Sequence, residues 1–104
     1  MIEKIYKMSP FNAHVIEPVI KDENIHYMHM VLLQNEALPT HRTNATVYMT
    51  VARGNLSLSL EDNEFNHYPQ GTILKIPYNT KMIAQNNGEE TLELYVVKAP
   101  APKG

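Results

Sequence analysis

Five histidines and six methionines carry most of the reactive chemistry open to this chain of 104 residues. It has no cysteine, so thiolate chemistry and a disulfide framework are excluded. An imidazole can act as a general base or as a metal ligand, and both roles need partners. A base needs its second nitrogen oriented, usually by a carboxylate, and an ion needs several imidazoles or carboxylates around it. A thioether is a soft ligand for copper(I) and otherwise an adaptable filler of apolar space. The residues whose spacing matters are His26 and His29, His41 with Thr43, and Met28, Met30, Met49 and Met82. His14 and His67 fall near expected strand ends and read as solvated surface residues.

The elements that must position these residues are strands. Hydrophobicity alternates with period two in Leu56-Ser57-Leu58-Ser59-Leu60 and in Thr91-Leu92-Glu93-Leu94-Tyr95-Val96-Val97, so each run has one apolar face. Short β-branched runs occupy 46–51 and 72–76, and a longer, methionine-rich one occupies 25–33. Turn residues separate them at Glu61-Asp62-Asn63-Glu64, Pro69-Gln70-Gly71 and Asn86-Asn87-Gly88. No window reads as a capped amphipathic helix. The pattern predicts an all-β, antiparallel sandwich or barrel in one domain spanning 1–104. Pro18 makes the first twenty residues an N-terminal arm or edge strands, and the proline-rich residues 99–104 read as a loose tail.

Between Asn35 and Asn86 the spacing resembles the two signature motifs of the cupin superfamily. The first, Gly-x5-His-x-His-x3–4-Glu-x6-Gly, lays its glycines on Asn35 and Gly54, its histidines on His41 and Thr43, and its glutamate on Val47. The second, Gly-x5-Pro-x-Gly-x2-His-x3-Asn, falls on Gly71, Pro77, Asn79, Met82 and Asn86. Gly54, Gly71, Pro77 and Asn86 keep the turn residues. Asn35 and Asn79 stand where the family has glycine, and asparagine is the commonest other residue in the left-handed region. The resemblance implies a double-stranded β-helix, or jelly roll, whose four ligand positions converge inside the barrel on a divalent metal. Three of those four are Thr43, Val47 and Met82, and valine has no lone pair. The site is therefore expected to be degenerate, with no cofactor.

Three classes of function stay open. In the first, the chain is a metal-free binding protein that holds a small amphipathic molecule in the barrel, against His41, Thr43, Val47, Met49, Met82, Met28 and Met30. In the second, it is an enzyme, through an unusual metal site joining His41 to His26 or His29, or through metal-free isomerase-like chemistry on His41. No inward-facing carboxylate is visible to orient that histidine. In the third, side chains fill the barrel and the role is interaction or assembly. The weight of the reading is against an enzyme.

Nine Lys and Arg against eleven Asp and Glu are scattered singly, without the basic stripe that nucleic-acid binding needs. No segment approaches the ~18 apolar residues of a membrane span, and no signal peptide is visible at Met1-Ile2-Glu3-Lys4-Ile5-Tyr6-Lys7, which makes a cytoplasmic protein the expectation. Apolar residues on outward strand faces, Tyr48, Ile83, Tyr95 and Val97, with Ile2, Ile5 and Tyr6 on the arm, predict a homodimer, as small cupins often form.

Overall fold

A computed structural model of the chain describes residues 1–103. It contains nine strands: β1 (Val15–Lys21), β2 (His26–Leu32), β3 (His41–Arg42), β4 (Val47–Arg53), β5 (Asn55–Leu60), β6 (Asn66–Pro69), β7 (Ile73–Ile76), β8 (Lys81–Gln85) and β9 (Leu92–Lys98). They form a five-stranded sheet in the order β1-β2-β9-β4-β7 and a four-stranded sheet in the order β3-β8-β5-β6. Every pairing within the sheets is antiparallel. This is the all-β, antiparallel arrangement that the alternation predicts, in the jelly-roll form that the resemblance implies. Among the described residues no helix is long and apolar enough to cross a membrane.

Register explains the core. Across the five-stranded sheet, Met30, Leu94 and Val51 form one inward row, and Met28, Val96, Met49 and Leu74 the next. Leu56 and Leu58 of β5 and Met82 and Ala84 of β8 meet them from the other sheet, and all but Met28 and Leu74 are buried. The two serines of β5 are buried as well on the opposite face. Ser57 Oγ lies 2.9 Å from His67 Nδ1, and Ser59 Oγ donates to the Asn63 carbonyl at 2.7 Å. Alternation thus sorts the faces correctly, although the serine face is not a solvated one.

The turns explain why the motif residues are there. Asn35 (φ 66°) and Asn79 (φ 61°) adopt the left-handed conformation, as do Gly54 (φ 80°) and Gly71 (φ 93°). Asn79 closes the loop before β8, its amide donating to the Thr43 carbonyl at 2.9 Å. Asn86 is fully buried, and its Nδ2 donates to the carbonyls of Leu32 and Glu90, both at 2.9 Å. Asn79→Gly should leave the melting temperature nearly unchanged. Asn79→Val, which puts a β-branched residue at positive φ, should cost about 1–2 kcal/mol in denaturant unfolding.

Of the two ends, the C-terminal one departs from the sequence reading. β1 is the outer strand of the five-stranded sheet, and its pairing with β2 shifts between Pro18 and Ile20, where proline cannot join a regular ladder. The segment expected to be loose is tied at two points. The Ala99 amide donates to the Thr46 carbonyl at 3.1 Å and the Ala101 amide to the Asn24 carbonyl at 2.9 Å. Prolines end the strand there, but the two alanines between and before them still offer their N–H groups.

Candidate functional site

The residues at the motif's ligand positions do not converge on an open space. Val47, Met49 and Met82 are buried in the hydrophobic core with Met30, and Met28 packs against it. Thr43 is buried, but its hydroxyl is used: Oγ1 donates to the Pro77 carbonyl at 2.7 Å and accepts from the Thr80 amide at 2.9 Å. His41 sits on β3, a two-residue edge strand, and is exposed, with Nδ1 2.8 Å from the Pro39 carbonyl. So short a strand at the sheet's edge cannot carry its side chain under cover. Among the described residues no buried side-chain nitrogen or oxygen lacks a hydrogen-bond partner.

The open space lies at one mouth of the barrel. A cleft of about 350 Å³ is lined by Pro18, Lys21, His26, Met28, Asn44, Lys98 and Pro102. Its inner wall is the end of the five-stranded sheet. Lys21 pairs with His26, His26 with Lys98, and Lys98 with Val47, so three basic side chains cross β1, β2 and β9 in one row. One row deeper, Pro18 pairs with Met28 and Met28 with Val96, which supplies an apolar floor. Burial, and after it the neighbouring Lys21 charge, holds the Lys98 ammonium below the usual lysine range. A second cleft of about 370 Å³ adjoins through Asn44 and Pro102 and extends to Tyr78. Of the residues expected to line a pocket, only Met28 lines one of these two clefts, and His26 joins it.

His29 faces the opposite way, onto the outer surface of the same sheet, and is fully buried there. Its Nδ1 lies 2.7 Å from Glu17 Oε2 and its Nε2 2.7 Å from Glu93 Oε2. Cross-strand register makes this geometry, since Glu17 is directly opposite His29 on β1 and Glu93 is two pairs along on β9, on the same face. Each ring nitrogen thus has a carboxylate oxygen within hydrogen-bond distance, and the imidazole is tied on both sides. Arg53 Nε is 3.8 Å from Glu93 Oε1. The segment before β1 closes over the cluster: the Ser9 amide and hydroxyl both donate to Glu17, at 2.9 and 2.8 Å, and Phe11 lies 3.9 Å under the Arg53 guanidinium. Hydrogen bonds from His29, then from Ser9, hold the Glu17 carboxyl below its ordinary range. His29 is thus a structural tie, remote in role from His26 although only three residues away.

No family model matches the chain. It is 38% identical over 104 residues, 99% of its own length and 90% of the relative's, to an uncharacterized protein of Methanocaldococcus jannaschii. The crystal structure of that protein, described as an RmlC-like cupin family protein with a double-stranded β-helix fold, superposes with a TM-score of 0.94 over 98% of this chain and 94% of that one. The chain belongs to the cupin superfamily. More distant cupin-fold structures share the fold alone. One is a conserved protein with a double-stranded β-helix domain from Klebsiella pneumoniae, at 17% identity and TM-score 0.80 over 95% and 82% of the two chains. Another is a cupin superfamily protein from Desulfitobacterium hafniense, at 8% identity and TM-score 0.75 over 89% and 83%.

As a cupin, this one does not fit the superfamily's metal. Val47 offers no donor atom, Thr43 Oγ1 is already engaged, and Met82 lies within the core. Among the described residues no group of three or more His, Asp or Glu is arranged to hold an ion. His41 is not joined by His29, whose two nitrogens are both taken by carboxylates, and His26 belongs to the mouth cleft. Purified protein should carry far less than one equivalent of transition metal by elemental analysis. Stoichiometric metal that disappears in His41→Ala would contradict this.

The His29 cluster was not foreseen from the sequence. Its one signal was a histidine in register with Ile25, Tyr27 and Val31, an otherwise apolar set. A buried imidazole there needs partners, and Glu93 on the outward face of the last strand was one candidate.

Proposed function

We propose that this cupin is a metal-free binding protein that takes a small amphipathic molecule, not in the centre of the barrel but in the cleft at its mouth. The observation that supports it is the cleft's construction: about 350 Å³, at the small end of ligand-site volumes, with polar side chains at the rim row and proline and methionine beneath. The interior that a typical cupin uses is filled by Val47, Met49, Met82 and their neighbours. Asn44 stands at the junction of the two clefts and is exposed, so Asn44→Trp fills the mouth without touching the core. A fragment set scored by thermal shift should yield binders that stabilise the natural protein and fail with Asn44→Trp. Binders equally effective on both proteins would refute the location.

The same reading includes a two-fold homodimer. Met1, Ile2, Ile5, Tyr6 and Met8 are exposed on the segment before β1 and have no apolar cover in their own chain. Tyr48 and Ile73 are exposed on the outer face of the five-stranded sheet, in the rows that hold Val97 and Tyr95. Ile83 belongs to the other sheet, so it does not extend this face. A second copy, placing its arm on this face, covers both sets at once. Light scattering should give twice the chain mass, and Tyr48→Glu with Ile73→Glu should halve it. A monomer for the natural protein at micromolar concentration would rule the dimer out.

A further inference from the structure

We infer that the ligand of the mouth cleft is a small anion, a phosphate or carboxylate on a short apolar body, with Lys21 and Lys98 holding its charged group and Pro18 and Met28 its apolar part. This rests on the small-molecule reading above and names the ligand class.

Lys21 and Lys98 line one cleft, and among the described residues neither has an ion-pair partner there. Burial first, and then repulsion from Lys21, disfavours the charged form of Lys98. Here Lys21, His26 and Lys98 are successive cross-strand partners, and Lys98 is half-buried beside Val47. Three of the protein's cations are ion-paired within the fold, Arg42 with Glu61, Lys81 with Asp62 and Arg53 with Glu93. Among the described residues no carboxylate forms an ion pair with Lys21, His26 or Lys98. Asp22, beside Lys21 in the chain, accepts at Oδ1 from the Asn24 and Ile25 amides of the β1–β2 turn, and its charge reaches His26 without forming an ion pair in the cleft. An anion in the cleft supplies the missing countercharge.

The geometry suits one. Two strand spacings put the Lys21 and Lys98 backbones about 10 Å apart, a gap that two lysine side chains close around a shared oxyanion. Asn44 lines the same cleft and adds a polar side chain to it. The apolar floor lies one row deeper, so a ligand enters with its apolar end inward and its charge at the lysine row.

Phenyl phosphate, benzoate and benzyl alcohol share a ring and differ in charge, and titration calorimetry of the full chain compares them. Both anions, or one of them, should bind at least about tenfold tighter than the alcohol, as expected for a charge-assisted contact. Whichever of the two is tighter identifies phosphate or carboxylate as the natural group. Lys98→Gln, and independently the exposed Lys21→Gln, should each remove most of that advantage and leave the alcohol's affinity as it was. Equal binding of the alcohol and the anions, or anion affinity unchanged in both lysine variants, overturns the anion assignment while the cleft reading stands. No binding of any of the three, including the alcohol, overturns both.

Discussion

Replacing His29 with alanine is expected to destabilise the protein by about 3–5 kcal/mol, a size typical of breaking a buried charged network by removing one partner. The reason is what the substitution leaves behind. Glu93 keeps only a side chain exposure of 9% and the Arg53 contact at 3.8 Å, too long for a good hydrogen bond, so its carboxylate is stranded. Glu17 is nearer solvent, at 27%, and retains both Ser9 hydrogen bonds. The order of damage in urea unfolding should therefore be His29→Ala, then Glu93→Gln, then Glu17→Gln. The acid side adds a signature. Glu17 has a folded-state pKa below its unfolded value, because of His29 first and Ser9 next. Its contribution is fully present above the ordinary glutamate range, near about 4.3, and is lost as pH falls through the lower folded value. The gap between the natural protein and Glu17→Gln should be constant at neutral pH and close as the solution is acidified. A gap that widened with acid would mean that Glu17 is not held ionised by this cluster.

A comparable loss should follow from Gly54→Ala, and here the contrast with Gly71→Ala is the informative part. Both glycines have positive φ, 80° and 93°, so alanine at either position is strained by about 1–2 kcal/mol. At Gly54 a β-carbon would also stand 2.5 Å from the Thr91 carbonyl oxygen and 3.1 Å from the Leu92 α-carbon, both backbone atoms. The β4–β5 turn is pressed against the start of β9 there, and neither backbone can retreat without opening the β4–β9 pairing. At Gly71 nothing lies within 4 Å of the added atom. Gly54→Ala should therefore cost at least about 3 kcal/mol and Gly71→Ala no more than about 1–2 kcal/mol. Equal costs would show that conformation alone, and not the close approach to β9, accounts for the glycine at position 54.

The residues that were legible in the sequence are those whose role is local. Asn35 and Asn79 could be assigned to positive φ because the requirement belongs to one residue's backbone. Leu92, Leu94 and Val96 could be assigned inward because alternation is a property of one strand. What could not be read was anything that depends on which strands are neighbours. Glu17, His29 and Glu93 are separated by 12 and 64 residues and meet only through the order β1-β2-β9. The row of Lys21, His26 and Lys98 depends on the same order, and on a bulge at Pro18 that alters the phase of β1. His41 was the natural residue to watch by motif spacing, yet its strand has only two residues and leaves it exposed. The grouping of Ile83 with Tyr95 fails for a like reason, since facing outward on two different sheets means facing opposite directions.

On the proposed reading, core side chains close the interior of this cupin and small molecules are held at its mouth. The methionines lie on both sides of that division: Met28 lines the cleft, whereas Met49 and Met82 are in the core. Methyl NMR of the protein labelled at methionine, titrated with any fragment that raises its melting temperature, separates the two places in one spectrum. The Met28 methyl should shift in proportion to occupancy while those of Met49 and Met82 hold still. Shifts centred on Met49 and Met82, with Met28 unmoved, would contradict the account and put the ligand back inside the barrel.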